Sequence, residues 1–295
     1  LDRRIGPPET CASDRLEFDL NAQDVLLLPL GFVVGAFGTL VGAGGGFVLV
    51  PVLLLLYPEK DAQTITAMSL FVVVANAISG TAAYARQRRI DYRSGAWFAA
   101  STLPGAVAGA IVVGFIPRRA FDGLFAVVLA GIGVYLLLRR TQQSIVPPVT
   151  GRGVVRRRVT DANGNTFAYS FKMPLGLAFS GGIGFVSSLL GIGGGVIHVP
   201  VMATILHFPI HIAAATSQFV LMFMAAEGVT VHFATGTLHW DNSLGKAAIL
   251  AAGAVPGAQA GAWISRKVRG GMILRALAGA LILVGIRLGL KAASL

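Results

Sequence analysis

The residues of this chain best suited to chemistry are glycines. Gly42-Ala-Gly-Gly-Gly-Phe47 and Gly191-Ile-Gly-Gly-Gly-Val196 each interrupt a long apolar stretch, and each is followed by a proline, Pro51 or Pro200. A glycine destabilises a helix by about 1 kcal/mol relative to alanine. Three in succession, Gly44, Gly45 and Gly46 or Gly193, Gly194 and Gly195, therefore favour a break over a continuous helix. The helix that restarts near Phe47 or Val196 presents unpaired N–H groups and a partial positive charge, which suits an anion. Neither stretch contains a Lys or Arg to take that role instead. The competing reading is that the glycines only allow helices to approach closely; their presence in both halves favours the break.

Polar side chains follow each glycine cluster. Ser69 and Ser217 hold matching positions, with Thr66, Thr216 and Gln218 beside them and Asn76 two helical turns after Ser69. Hydroxyl and amide groups can donate to an oxyanion, although a serine can also bond back to its own helix. Glu227 and His198 are candidates to exchange a proton during a transport cycle. His207, His211 and His239 fall near segment ends and read as interfacial, as do Trp97, Trp240, Trp263, Tyr57, Tyr84 and Tyr92.

The elements that must position these residues belong to a membrane. Of 295 residues, 55% are hydrophobic and 13% charged, about half the charge of a soluble domain, and mean hydropathy is +0.73. Apolar stretches occupy 25–57, 62–85, 94–116, 119–138, 173–206, 210–235, 243–264 and 270–290. Six have the length of single spans, which need about 20 residues. The first and fifth are too long, since 25–57 as one helix would extend about 50 Å against a hydrocarbon core of about 30 Å.

The two long stretches are copies. Gly42–Val52 aligns with Gly191–Val201 at an offset of 149, with seven of eleven positions identical. The likeness continues as Ala67-Met-Ser-Leu-Phe71 against Ala215-Thr-Ser-Gln-Phe219, and as Pro104–Gly109 against Pro256–Gly261. The fold expected is all-α, a polytopic helical membrane protein of two repeated four-segment halves whose first segments are broken by glycine and may turn back to the side they entered. Its parts are a polar N-terminal segment (1–24), a first membrane repeat (25–138), a basic connector (139–172) and a second membrane repeat (173–291). Duplicated halves with paired broken helices are a usual build of secondary transporters.

The connector carries Arg139, Arg140, Arg152, Arg156, Arg157, Arg158 and Lys172 against one acid, Asp161, which places it in the cytoplasm. Val154–Thr160 and Thr166–Phe171 flank Asp161-Ala-Asn-Gly-Asn165, the pattern of a β-hairpin. Arg86, Arg88, Arg89 and Arg93 mark a second cytoplasmic loop. If the long stretches each cross once, Arg266-Lys267-Val-Arg269 falls on the opposite side. If they turn back, the halves are inverted and it joins the other basic loops. Charge alone does not separate the two schemes; the segment lengths favour the second.

Several classes are disfavoured. One cysteine, Cys11, supports neither a disulfide framework nor a multi-cysteine metal site. The net charge of +11 lies mostly between apolar stretches, so nucleic acid is not an expected partner. Gly42-x-Gly44-x-x-Phe47 lacks the third glycine of a dinucleotide fingerprint. No cofactor, metal or enzymatic activity is expected. Residues 1–24 show no apolar core of a cleavable signal peptide.

The two Gly-x-Gly-Gly-Gly…Pro motifs, followed by Thr66-Ala-Met-Ser69 and Ala215-Thr-Ser217, resemble the signature of the TauE/SafE sulfite exporter family over residues 25–290. Thr66 and Ala214 stand near places where that family often has glycine. The resemblance implies a permease of the cytoplasmic (inner) membrane for sulfite, sulfonates or related small sulfur-containing anions. Combined with the residues above, it gives a multi-pass secondary transporter whose anion sits at the paired breaks with Gly44, Gly45, Gly46, Ser69, Gly193, Gly194, Gly195, Ser217 and Gln218. Its partners would be a small anionic substrate, the lipid bilayer and, as an assembly to test, a second copy in a homodimer. A passive anion channel or a membrane-embedded sulfur-handling accessory protein are the alternatives.

Overall fold

The computed structural model describes residues 24–138, 152–238, 242–268 and 270–293, with side chains of the last helix described as far as Ile286. The expectations for Cys11, Arg139, Arg140, His239, Trp240 and Arg269 lie outside the described residues.

Where one helix would have been too long, the chain makes two short ones. Helix α1 (Leu27–Val41) ends at Gly42, whose φ of 80° is left-handed, and α2 (Gly46–Leu56) begins four residues later. Glycine adopts such a φ without the steric cost a Cβ would bring. The second half repeats this, with α6 (Met173–Leu190) ending at Gly191, φ 67°, and α7 (Gly195–Thr204) restarting beyond it. Between and after them run α3 (Ala62–Arg86), α4 (Tyr92–Val112), α5 (Arg118–Leu138), α8 (Ile210–Ala234), α9 (Asn242–Ser265) and α10 (Gly270–Ala293). Asp61 and Asp91 cap α3 and α4 by accepting from the amides of Thr64 and Ser94, satisfying donors that a helix start leaves free. Six described helices are long and apolar enough to cross a membrane: α3, α4 with its short 3-10 extension to Phe115, α5, α6, α8 and α9. Large apolar side chains such as Phe115, Val127, Leu137 and Trp263 are exposed, as lipid-facing groups would be.

Stripes of glycine interlock the halves. Gly31 and Gly35 of α1 lie against the backbone of Leu250 and Ala254 of α9, while Gly253, Gly257 and Gly261 lie against Leu28, Phe32 and Ala36. Gly105 and Gly109 of α4 do the same against Gly181 and Phe185 of α6. The first helix of each half thus packs in parallel on the third segment of the other. Helices α3 and α8 run antiparallel: Gly80 meets Gln218, Gly228 meets Leu70, and Val73 and Leu221 meet between them at Gly44 and Gly193.

The first stretch also turns back. Helix α1 advances along α9 from Gly253 to Gly261, then Gly45 folds against Val34. Helix α2 ends where Lys246 Nζ sits 4.6 Å over the Tyr57 ring and Lys60 donates to Ser243, near the start of α9.

Residues 154–172 form the antiparallel hairpin β1 (Val154–Thr160) and β2 (Thr166–Lys172), in register from Val154 with Lys172 to Thr160 with Thr166. It docks on the loop after α3. Arg89 pairs with Asp161 at 3.7 Å, Arg157 with Asp91 at 3.5 Å, and the amide of Ala162 donates to Gln87 O at 2.9 Å. Gln87 in turn donates to Ala262 O near the end of α9. The basic loops after α3 and α9 therefore share one end of the molecule with the hairpin, the arrangement that goes with first segments that turn back. One expectation is corrected: Tyr84 is not interfacial but 1% exposed, because its hydroxyl donates to Thr39 O at 2.7 Å inside the bundle.

Candidate functional site

The two breaks abut at the centre. A Cβ on Gly46 would meet Gly191 O at 2.7 Å and Ile192 O at 2.9 Å, and one on Gly195 would meet Gly42 O and Ala43. These contacts are reciprocal between the halves. Gly45 and Gly194, the residues just before α2 and α7, have φ of 84° and 74°. Some freed donors are spent locally, with Ala43 N donating to Gly38 O and Ile192 N to Ser187 O. Among the described residues, the amides of Gly45, Gly46 and Phe47 in one break, and of Gly193, Gly194 and Val196 in the other, have no acceptor. All six residues are buried. Buried amides without acceptors are rare and costly, and at the start of a helix they point toward negative charge.

The side chains around the breaks differ in their partners. Ser69 Oγ donates to Gly191 O at 2.8 Å, so in this conformation its hydrogen braces the second break. Thr39 Oγ1 donates to Asn76 Oδ1 at 3.1 Å, and Asn76 Nδ2 donates to Gly44 O at 3.2 Å. These bonds tie part of the first half to itself, although Thr66 Oγ1, fully buried beside Gly191, has no partner among the described residues. Ser217 Oγ, fully buried, has no partner among the described residues, and neither do Ser187 Oγ and Ser188 Oγ in the last turn of α6. Gln218 donates to Gly38 O at 3.4 Å and leaves its Oε1 without a partner.

The proposed proton carriers stand apart from this centre. His198, on α7, lies with Nε2 3.1 Å from Ser180 Oγ and its ring 5.7 Å from that of Phe98. Glu227 is half-buried on α8 next to Gly228, and its Oε2 has no partner. His232, fully buried with both ring nitrogens unpartnered, has a stronger polar signature than either. The sequence motifs gave no role to His232, Thr39, Ser187 or Ser188. For the three hydroxyls the available signal was their place in the last turn before each break. Among the described residues no cluster of three His, Cys, Asp or Glu is placed to hold a metal.

Comparison with known proteins agrees with this build. The profile of the family described as sulfite exporter TauE/SafE matches residues 27–288. The chain is 32% identical over 270 residues to the probable membrane transporter protein YunE of Bacillus subtilis, covering 90% of this chain and 96% of that one. It is 25% identical over 246 residues to a probable membrane transporter protein of Methanocaldococcus jannaschii, covering 80% and 82%. A more distant likeness, 28% over 193 residues, is to the probable membrane transporter protein MamO of Magnetospirillum gryphiswaldense, covering 56% of this chain and 29% of that one. No solved structure matches the chain. A multi-pass bundle with two abutting helix breaks, matched by one family profile over nearly its whole length, belongs to the TauE/SafE sulfite exporter family.

Proposed function

We propose that this protein is a secondary transporter of a small sulfur-containing anion, such as sulfite or an organosulfonate, across the cytoplasmic membrane. The observation that carries the reading is the pair of abutting breaks whose buried amides at Gly45, Gly46, Phe47, Gly193, Gly194 and Val196 lack acceptors, in segments without Lys or Arg. The anion would take hydrogen bonds from these amides and from the free Ser217 hydroxyl, with Gly44 and Gly193 keeping the approach narrow. Ser69 would hold the second break in place. Gln218 would turn its amide toward the anion on releasing Gly38 O. Glu227 and His198 would take up and release the coupling proton. With no nucleotide-binding motif in the sequence, the driving force would be a gradient or a separate subunit. The hairpin and basic loops would face the cytoplasm.

Purified protein in liposomes tests this directly. Saturable uptake of sulfite or a sulfonate that responds to an imposed proton gradient is the expected result. Absence of flux for sulfite, sulfonates, thiosulfate and sulfate would overturn it, and uncoupled, non-saturating flux would convert the reading to a passive channel.

A further inference from the structure

At the end where the hairpin docks, an open cavity of about 100 Å³ lies between the hairpin turn and the loops after α3 and α9. Its lining includes Arg86, Arg89, Arg266, Gln87, Asp161 and Asn163. Arg86 and Arg266 are exposed and form the rim, whereas Arg89 is 6% exposed. Arg89 Nη2 pairs with Asp161, but Arg89 Nη1 is buried with no partner among the described residues. Asp161 has little capacity to spare: its Oδ1 accepts from the amides of Asn163 and Asn165 at 2.9 Å each, and its Oδ2 from Asn165 Nδ2 at 3.2 Å. Three guanidinium groups against one carboxylate leave the lining two positive charges in excess. Guanidinium groups present planar, paired donors that match tetrahedral oxyanions, and a desolvated charged donor demands an acceptor.

We propose that this cavity binds a tetrahedral oxyanion of the sulfate or phosphate class, which ties the hairpin turn to the loops after α3 and α9. It shares no residue with the central breaks and is a second site, not the transport site. Its occupant clamps a lever that reaches the centre. The hairpin holds Asp91 through Arg157, and the amide of Asp91 donates to Thr216 Oγ1 at 3.0 Å, one residue from Ser217.

The test is hydrogen exchange on the full chain in phosphatidylcholine nanodiscs, titrated with inorganic sulfate against chloride at equal ionic strength. Sulfate should protect residues 86–89 and 161–165 saturably, and Arg266→Gln should raise the half-saturating concentration about tenfold. Arg266 is exposed, so this variant is expected to fold; Arg86→Gln serves as the second. Nanodiscs containing phosphatidylglycerol distinguish the source, since protection there without sulfate assigns the occupant to a lipid phosphate. No sulfate-specific protection in either membrane, or protection unchanged in the Arg86→Gln/Arg266→Gln double variant, overturns the site. The readout needs no flux, so the fate of the transport reading does not decide it.

Discussion

Ser69 and Ser217 occupy matching places on α3 and α8, yet one bonds across the centre to Gly191 O and the other has no partner. The contrast extends along both helices. Shifted by 149 residues at the breaks and 148 along the helices that follow, Thr39 corresponds to Ser188, Asn76 to Met224 and Tyr84 to His232. Thr39, Asn76 and Tyr84 form a buried chain of hydrogen bonds that ends on Gly44 O. Ser188 and His232 make no such bonds, and Met224 packs its thioether 3.1 Å from where a Cβ on Gly194 would lie. The contrast is one of degree, since Thr66 Oγ1 and Thr81 Oγ1 of the first half also lack partners, while Gln218 of the second donates to Gly38 O. A bonded polar network rigidifies its surroundings, so the chain that ends on Gly44 O stiffens that part of the first break, while Ser69 braces the second at Gly191 O.

The largest test asks whether both breaks are indispensable. Gly45→Leu and Gly194→Leu each force a side chain into a left-handed backbone and into Val34 or Met224. Each is expected to abolish liposome flux while membrane insertion persists; retained flux in either variant would remove that break from the site. A smaller effect separates the two serines. Ser217→Ala should raise the KM for sulfite about tenfold, the value of one hydrogen bond to a charged group, with little change in thermal stability. Ser69→Ala should do the reverse, and equal effects on KM would erase the contrast.

The third comparison is of stability alone. Asn76→Ala leaves Gly44 O and Thr39 without partners, at a cost of about 2–3 kcal/mol, and should lower the apparent Tm by roughly 5 °C. Ser188→Ala breaks no bond and should stay within about 1 °C. Thermal melts in one detergent read both.

The smallest effect concerns the hairpin, which docks on the loop after α3 and has no counterpart described at the loop after α8. Burial alone would raise the Asp161 carboxyl, but hydrogen bonds from Asn165 and Asn163 and the charge of Arg89 outweigh it and hold the group below its ordinary range. A depressed folded value means the carboxylate stabilises the protein above the unfolded pKa of about 4, and that this contribution is lost as pH falls through the folded value. Asp161→Asn should therefore melt about 2 °C below the parent near pH 6, with the gap closing as the pH drops below about 4. A gap that widens with acidification would contradict the assigned sign.

Much of the frame was legible without coordinates. Apolar run lengths, three successive glycines, the duplicated Pro51 and Pro200, and the Asp161-Ala-Asn-Gly-Asn165 turn are local signals, because helix breaking, span length and turn geometry depend on neighbours a few residues away. The restart points expected near Phe47 and Val196 lie one residue from the observed Gly46 and Gly195. What tertiary structure decided was the use of each polar group. Tyr84 looked like a span-end aromatic until Thr39, 45 residues away, took its hydroxyl. The bonded state of Ser69 turns on Gly191 O, 122 residues away in the chain, whereas Ser217 meets no such acceptor among the described residues. The gathering of Arg89, Asp161 and Arg266 around one cavity likewise brings together three loops remote in sequence. Residue types and spacings specify which elements form and where they break. Partner choice across a packed bundle depends on contacts far apart in the chain, so which hydroxyls are bonded and which lack a partner emerges only when the halves interlock.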